Sequence, residues 1–244
     1  MKILRALHAA YIFICFSLLF AVFLPLLLVP IIFKERHALT GRFNRWWAHL
    51  FFAVTFFPKK VVVHAEIDRK GQYIFCPNHF SYLDIPTMGL NPVNSIFVGK
   101  NDMERIPIFG FMYKKLHITV DRESLKSRYA TVVKSGEAID VGKSLMIFPE
   151  GGILSQKMPE MHRFKDGAFR IAIEKQIPVV PVTIPFNWII LPDDSLLPRL
   201  HQLKVVFHKP IRTEGLRLEN LENLKQQTFN VINAELERHL NENR

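Results

Sequence analysis

From residue 6 to residue 33 the chain carries no Asp, Glu, Lys or Arg, and nearly every side chain is apolar. A helix that crosses a membrane needs about 20 apolar residues, so this run predicts a membrane helix, kinked at Pro25 and Pro30. Lys2 and Arg5 precede it as they would precede a signal peptide. However, the run is too long for the apolar region of a signal, and no small-x-small cleavage site follows. A basic break at Lys34 and Arg36 leads to a second, shorter apolar stretch over 42–57. It begins basic and carries Trp46 and Trp47, a residue type that favours the membrane interface. Two apolar helices joined by a basic turn predict a hairpin, and residues 1–58 are read as a membrane-anchoring two-helix motif. Embedded in one leaflet, such a hairpin would put its charges on the cytoplasmic side.

After Pro58 the pattern changes to short β-rich runs alternating with helical ones. Strands are predicted over 61–67, 73–76, 95–98, 117–120, 145–148, 179–184 and 203–207. Helices are predicted over 85–90, 108–115, 125–140, 167–175 and 221–239. This alternation predicts an α/β catalytic domain over 59–244, with a largely parallel or mixed central sheet flanked by helices. Ligands of open α/β sheets sit beyond the carboxyl ends of strands. His79 follows the 73–76 run and Glu150 the 145–148 run, so both point to one rim of the sheet.

Charge sharpens the first reading. The formal net charge is +10, and the first 60 residues hold eight Lys/Arg against one acid, Glu35, so +7 of it lies there. A basic segment fused to an apolar one reads as a contact with anionic lipid. Nucleic acid is set aside as a partner because no recognised motif for it occurs and the charge flanks hydrophobic runs. Cys15 and Cys76 fall in an apolar helix and a buried-looking strand, which reads as two core thiols in a reducing compartment. No metal is expected, since no zinc-ligand spacing occurs.

The polar turn after the second strand, Asn78-His79-Phe80-Ser81-Tyr82-Leu83-Asp84, carries the candidate chemistry. A histidine five residues before a carboxylate suggests a general base and the group that orients it. Helix neighbours come at three and four, so the pair meets best if His79 stays in the loop and Asp84 opens the next helix. Pro86 agrees, because proline fits the first turn of a helix and breaks one further in. The competing reading makes Asp84 a simple helix cap.

Three further blocks follow in order: 100–110 running on to Val120-Asp121-Arg122, then Phe148-Pro149-Glu150-Gly151-Gly152, then Phe164-Lys165-Asp166-Gly167-Ala168 with Val180-Pro181-Val182 after it. Together with His-x4-Asp they resemble the glycerolipid acyltransferases, above all the bacterial 1-acyl-glycerol-3-phosphate acyltransferases. The resemblance covers nearly all the chain after residue 58. The N-terminal pair of apolar helices looks like the same family's anchoring motif.

The resemblance implies transfer of a fatty acyl chain from a thioester to a lipid hydroxyl, namely the sn-2 hydroxyl of 1-acyl-glycerol-3-phosphate, to give phosphatidate. His79 would take the hydroxyl proton and Asp84 would hold the imidazole tautomer, with Asn78 and Ser81 in support. No metal or cofactor is implied; acyl-CoA or acyl carrier protein would be the donor substrate. Glu150 and Gly151 would bind the acceptor, and Lys100, Arg122 and Lys165 stand at matching basic positions for its phosphate. The apolar runs 106–112 and 184–191 are candidates for an acyl groove. The implied location is the inner, cytoplasmic membrane with the catalytic domain on the cytoplasmic side. One departure stands out: the family usually has Thr-Arg or Ser-Arg after the Gly, and here Gly152-Ile153 follows. The lost arginine raises an alternative acceptor, a non-phosphate lysolipid such as an acylated amino-acid lipid. An alternative of another class is a catalytically silent lipid-binding protein of the same fold.

Overall fold

A computed structural model describes residues 2–242 apart from 101–103, 105, 122, 123 and 156, and the side chains of these except Lys34, Lys100 and Glu242. The two N-terminal helices are α1 (Lys2–Ile32) and α2 (Ala38–Val54). α1 is the one helix among the described residues long and apolar enough to cross a membrane. It keeps Ile3, Leu4, Leu7, Phe13, Ile14, Leu18 and Val22 exposed. The helices run antiparallel. The Tyr11 hydroxyl donates to the Val54 carbonyl at 2.8 Å, Phe16 meets Trp47 edge to face at 5.2 Å, and Phe23 and Leu27 pack with Phe43.

The rest is an α/β unit. All seven predicted strands form: β1 (Lys59–Val63), β2 (Ile74–Pro77), β3 (Ser95–Lys100), β4 (Ile118–Val120), β5 (Ser144–Ile147), β6 (Val179–Thr183) and β7 (Leu203–Phe207). They make one sheet in the order β1-β7-β6-β2-β5-β3-β4. The pairs β6–β2, β2–β5, β5–β3 and β3–β4 are parallel, whereas β7 is antiparallel to β6 and parallel to β1. The carboxyl ends of β2, β3, β4, β5 and β6 therefore share one rim. The first strand stops at Val63 instead of running to residue 67, because the Ile67 N–H turns back to the His64 carbonyl at 3.1 Å.

The helices of this unit are α3 (Asp84–Met88), α4 (Phe109–Leu116), α5 (Leu125–Asp140), α6 (Gly167–Glu174), α7 (Asn187–Ile190) and α8 (Leu221–Glu242). Side chains alternate across the sheet, as a strand requires. Phe75, Met146, Val180 and Val182 meet the core that contains Leu83 and Met88 around α3. Ile74, Cys76, Leu145 and Val179 meet the core that contains residues of α5, α6 and α8. Burial pushes the Cys76 thiol far up, as an inert core thiol requires.

α2 is less an anchor than a structural layer. Its Ala48, Phe51 and Phe52 lie in the same core cluster as Phe75 and Met88. The Arg45 guanidinium donates to the carbonyls of Asn91 and Pro92, both at 2.7 Å, and the Asn94 side chain accepts from the Gly41 N–H at 2.7 Å. A Cβ at Gly41 would lie 2.0 Å from that side-chain oxygen, so only glycine allows the approach. Arg5 likewise donates to the carbonyls of Leu197 and Pro198. Two of the cations read from the sequence as lipid-facing are thus tied to backbone carbonyls of the α/β unit.

If α2 belongs to the core, Phe52→Ala costs about 3–5 kcal/mol of stability, as for other buried aromatic truncations. Urea unfolding of the detergent-solubilised protein measures it. A loss below about 1 kcal/mol would mean that α2 merely rests on the surface.

Candidate active site

β2 ends at Pro77, and its chain continues as the polar turn. The Asn78 amide fixes where that turn begins. Its Nδ2 donates to the Ile184 carbonyl at 3.0 Å and its Oδ1 accepts from the Ile184 N–H at 2.7 Å, so β2 and β6 are stapled together where both end. α3 starts at Asp84, as Pro86 requires. The Asp84 carboxylate folds back over the turn. Its Oδ2 accepts from the backbone N–H groups of Phe80 (2.7 Å) and Ser81 (2.9 Å) and from His79 Nδ1 (3.1 Å). With a carboxylate on Nδ1, the imidazole proton sits there and Nε2 carries the lone pair. Nε2 makes no hydrogen bond among the described residues. The ring stacks on Phe148, centroids 4.1 Å apart, and the residue keeps 9% of its surface.

Ser81 lies inside the turn. Its hydroxyl donates to the Leu191 carbonyl at 2.6 Å and accepts from the Leu83 N–H at 3.1 Å. It ties the turn to the end of α7.

Glu150 is the residue that the resemblance assigns to the acceptor. It is fully buried, and its two oxygens are taken from within the protein: Oε1 accepts from the His79 N–H at 2.7 Å and Oε2 from the His162 N–H at 2.8 Å. The physical reason is burial. A carboxylate removed from water must find donors, and the two loop amides supply them. Desolvation, opposed by those two N–H groups, pushes its pKa up to about 7. Gly151 has φ +80°, the left-handed region that favours glycine. The Lys165 side chain passes over it, with Nζ 2.7 Å from where a Cβ would stand. The Lys165 N–H donates to the Pro149 carbonyl at 2.8 Å, which joins the third and fourth sequence blocks. Arg122 and the Lys100 side chain lie outside what the structure describes; the strands before them, β4 and β3, end on the rim that carries His79.

One residue of the site is absent from the sequence reading. Asn187 opens the short helix α7 and is fully buried. Its Nδ2 donates to Asp84 Oδ1 at 2.9 Å and to Thr87 Oγ1 at 2.8 Å. From the sequence it is only one member of an apolar run. An asparagine in such a run is the available signal, since a buried amide needs partners.

Comparison with known proteins follows the same lines. Residues 60–185 match the Acyltransferase family profile. The chain belongs to the acyltransferase family. It is 31% identical over 140 residues to a chloroplastic 1-acyl-sn-glycerol-3-phosphate acyltransferase, BAT2 of Brassica napus, over 57% of this chain and 40% of that protein. It is 28% identical over 211 residues to the lyso-ornithine lipid O-acyltransferase of Pseudomonas aeruginosa, over 79% of each. The chain spans less than half the length of the plant protein. Its fold is that of the 1-acyl-sn-glycerophosphate acyltransferase PlsC of Thermotoga maritima, with a TM-score of 0.75 at 19% identity, covering 96% of this chain and 97% of that one. The acyltransferase match thus covers the His79–Asp84 turn and the Glu150 loop together.

Replacing His79 by Ala should lower kcat about 10²- to 10⁴-fold with the fold intact. Asp84→Asn should be comparably severe. Whichever way the new amide turns, its NH₂ faces either the His79, Phe80 and Ser81 donors or the Asn187 donor. Were Asp84 only a helix cap, Asn would replace it almost without cost. Acyl-transfer rates on enzyme checked by circular dichroism distinguish the two cases.

Proposed function

We propose that this acyltransferase is a membrane-associated lipid O-acyltransferase that moves a fatty acyl group from a thioester to the sn-2 hydroxyl of 1-acylglycerol-3-phosphate. The observation that carries the reading is the His79–Asp84 pair, whose Nε2 makes no hydrogen bond among the described residues, together with an apolar groove that Leu83 of the same turn helps to line. That groove, of about 370 Å³, is lined by Leu83, Ile190 and Leu191 from the site side and by Ala9, Ile12 and Phe16 from α1. It fits an acyl chain, and α1, the membrane-facing helix, forms one of its walls. Of the two candidate runs, 184–191 supplies Ile190 and Leu191 to its lining, and 106–112 supplies none of the lining residues.

In the reaction, Nε2 accepts the proton of the acceptor hydroxyl as the oxygen attacks the thioester carbonyl. Asp84 stabilises the imidazolium that results. The tetrahedral intermediate then collapses, the C–S bond breaks, and the leaving sulfur takes the proton back from Nε2. The enzyme needs no nucleophile of its own for this balance. The donor is coenzyme A or acyl carrier protein; a net charge of +10 suits an acidic carrier.

The attachment we infer is to one leaflet. α1 touches the α/β unit or α2 along its length: Arg5 at Leu197 and Pro198, Phe16 at Trp47, Phe20 at Phe109. A helix standing across the bilayer would bring those partners to membrane depth, where loop backbone is not tolerated against lipid. The exposed apolar side chains of α1 then enter the lipid with the site facing the cytoplasmic surface of the inner membrane. On this reading high salt leaves the protein bound, and release by salt alone would contradict it.

A second acceptor has its own support. No arginine follows Gly151-Gly152, and the lyso-ornithine lipid acyltransferase is similar over 79% of each chain. The phosphate reading rests on Lys165 beside Gly151 and on the basic positions Lys100 and Arg122. The test compares purified enzyme on lysophosphatidate, monoacylglycerol and lyso-ornithine lipid. We expect lysophosphatidate to be preferred, and Lys165→Ala to raise its KM about ten-fold, equal to about 1.4 kcal/mol, while monoacylglycerol is little affected. Preference for lyso-ornithine lipid would move the amino-acid acceptor ahead, and no transfer to any of them would support the silent lipid binder.

A further inference from the structure

We propose that Asn187 is a positioning residue for acyl transfer: its side-chain amide holds the Asp84 carboxylate in the rotation that serves His79. The proposal rests on the acyl-transfer reading above.

The contacts are asymmetric. Asp84 Oδ2 has three donors, whereas Oδ1 has one among the described residues, Asn187 Nδ2 at 2.9 Å. Remove that donor and Oδ1 becomes a buried carboxylate oxygen with nothing to bind. The carboxylate then gains by turning about Cβ–Cγ to share the Phe80 and Ser81 N–H groups between its oxygens, which draws Oδ2 off the imidazole.

The amide cannot simply be reversed. The Thr87 hydroxyl donates to the Leu83 carbonyl at 2.7 Å, so its oxygen can only accept from Asn187. Both acceptors thus demand the NH₂ end. The cost is visible at the other end: Asn187 Oδ1 is buried and has no hydrogen-bond partner among the described residues. The orphan is what remains when both N–H groups must point at Asp84 and Thr87.

The helix that presents the amide is anchored to the same turn. Leu191 N–H donates to the Asn187 carbonyl at 2.8 Å, and the Leu191 carbonyl accepts from the Ser81 hydroxyl. On the outer side Phe186, next to Asn187, packs its ring against His239 of α8 at 5.3 Å and His201 at 4.9 Å. Asn187 is thus fixed independently of Asp84, as a positioning group must be.

Two variants test this. Asn187→Ala should lower kcat about 10- to 100-fold, the scale of a displaced reacting group, with KM for donor and acceptor within about two-fold. Asn187→Asp has the same shape but sets a second carboxylate against Asp84. Two carboxyls at that distance resist ionising together, so the proton left on the pair is lost only at raised pH. Protonated, the introduced carboxyl can donate once, to Asp84, and leaves Thr87 Oγ1 without that donor; ionised, it repels. The other titratable groups facing the pair are His79 from the turn and Glu150 from the loop after β5. The kcat–pH profile of Asn187→Asp should therefore fall on the alkaline side relative to that of the wild type. A kcat for folded Asn187→Ala within about two-fold of wild type, or a wild-type pH profile for Asn187→Asp, overturns the proposal while leaving acyl transfer standing. Absence of acyl transfer by the wild type in the same assay overturns both.

Discussion

Asp84 is a fully buried carboxylate, and a buried carboxylate is tolerable only when its oxygens are filled with donors. Four fill them: the Phe80 and Ser81 amides, His79 Nδ1 and Asn187 Nδ2. Two of these set the shape of the turn, one sets the imidazole, and one ties in a helix 103 residues later in the chain. The need to satisfy one side chain thus couples the turn after β2, the start of α3 and the end of β6. The state of the His79 ring follows from this arrangement, because a carboxylate on Nδ1 leaves Nε2 as the nitrogen with the lone pair.

The sheet supplies the frame. Five strands in parallel bring their carboxyl ends to one rim, where loops from β2, β5 and β6 meet. Glu150 joins the loops after β5 and β2 by accepting from the His79 and His162 amides, as Asn78 joins the loop after β2 to the end of β6 at Ile184. Polar side chains in this rim mostly bind backbone, and that is how irregular loops can be buried without losing hydrogen bonds. The N-terminal hairpin covers the neighbouring face. α2 completes the core, and α1 lies against it with an apolar surface turned outward and one wall of the groove turned inward.

Much of this is legible from local pattern. All seven strands follow from short β-rich runs, and the start of α3 at Asp84 follows from the position of Pro86. The His79–Asp84 contact follows from both, since its partners are only five residues apart. What sequence reasoning does not reach is non-local. Nothing near Asn187 tells that it faces Asp84. The acceptor role of Glu150 is implied by the Phe148–Gly151 resemblance, whereas its burial and its bonds to the His79 and His162 amides depend on how two loops pack. Arg5 and Arg45 count as lipid-facing charges when charge is read from composition, but whether a guanidinium meets lipid or a carbonyl depends on the packing of distant segments.

The central claim is that Asp84 holds His79 in the tautomer whose Nε2 can accept a proton. The direct measurement is the ¹⁵N chemical shift of the His79 ring in protein labelled at histidine, assigned by comparison with His79→Ala, at a pH where the ring is neutral. The account predicts a protonated Nδ1 that is hydrogen-bonded and an unprotonated Nε2. A proton on Nε2 with Nδ1 bare would contradict it, since the ring would then offer the acceptor hydroxyl a donor in place of a base.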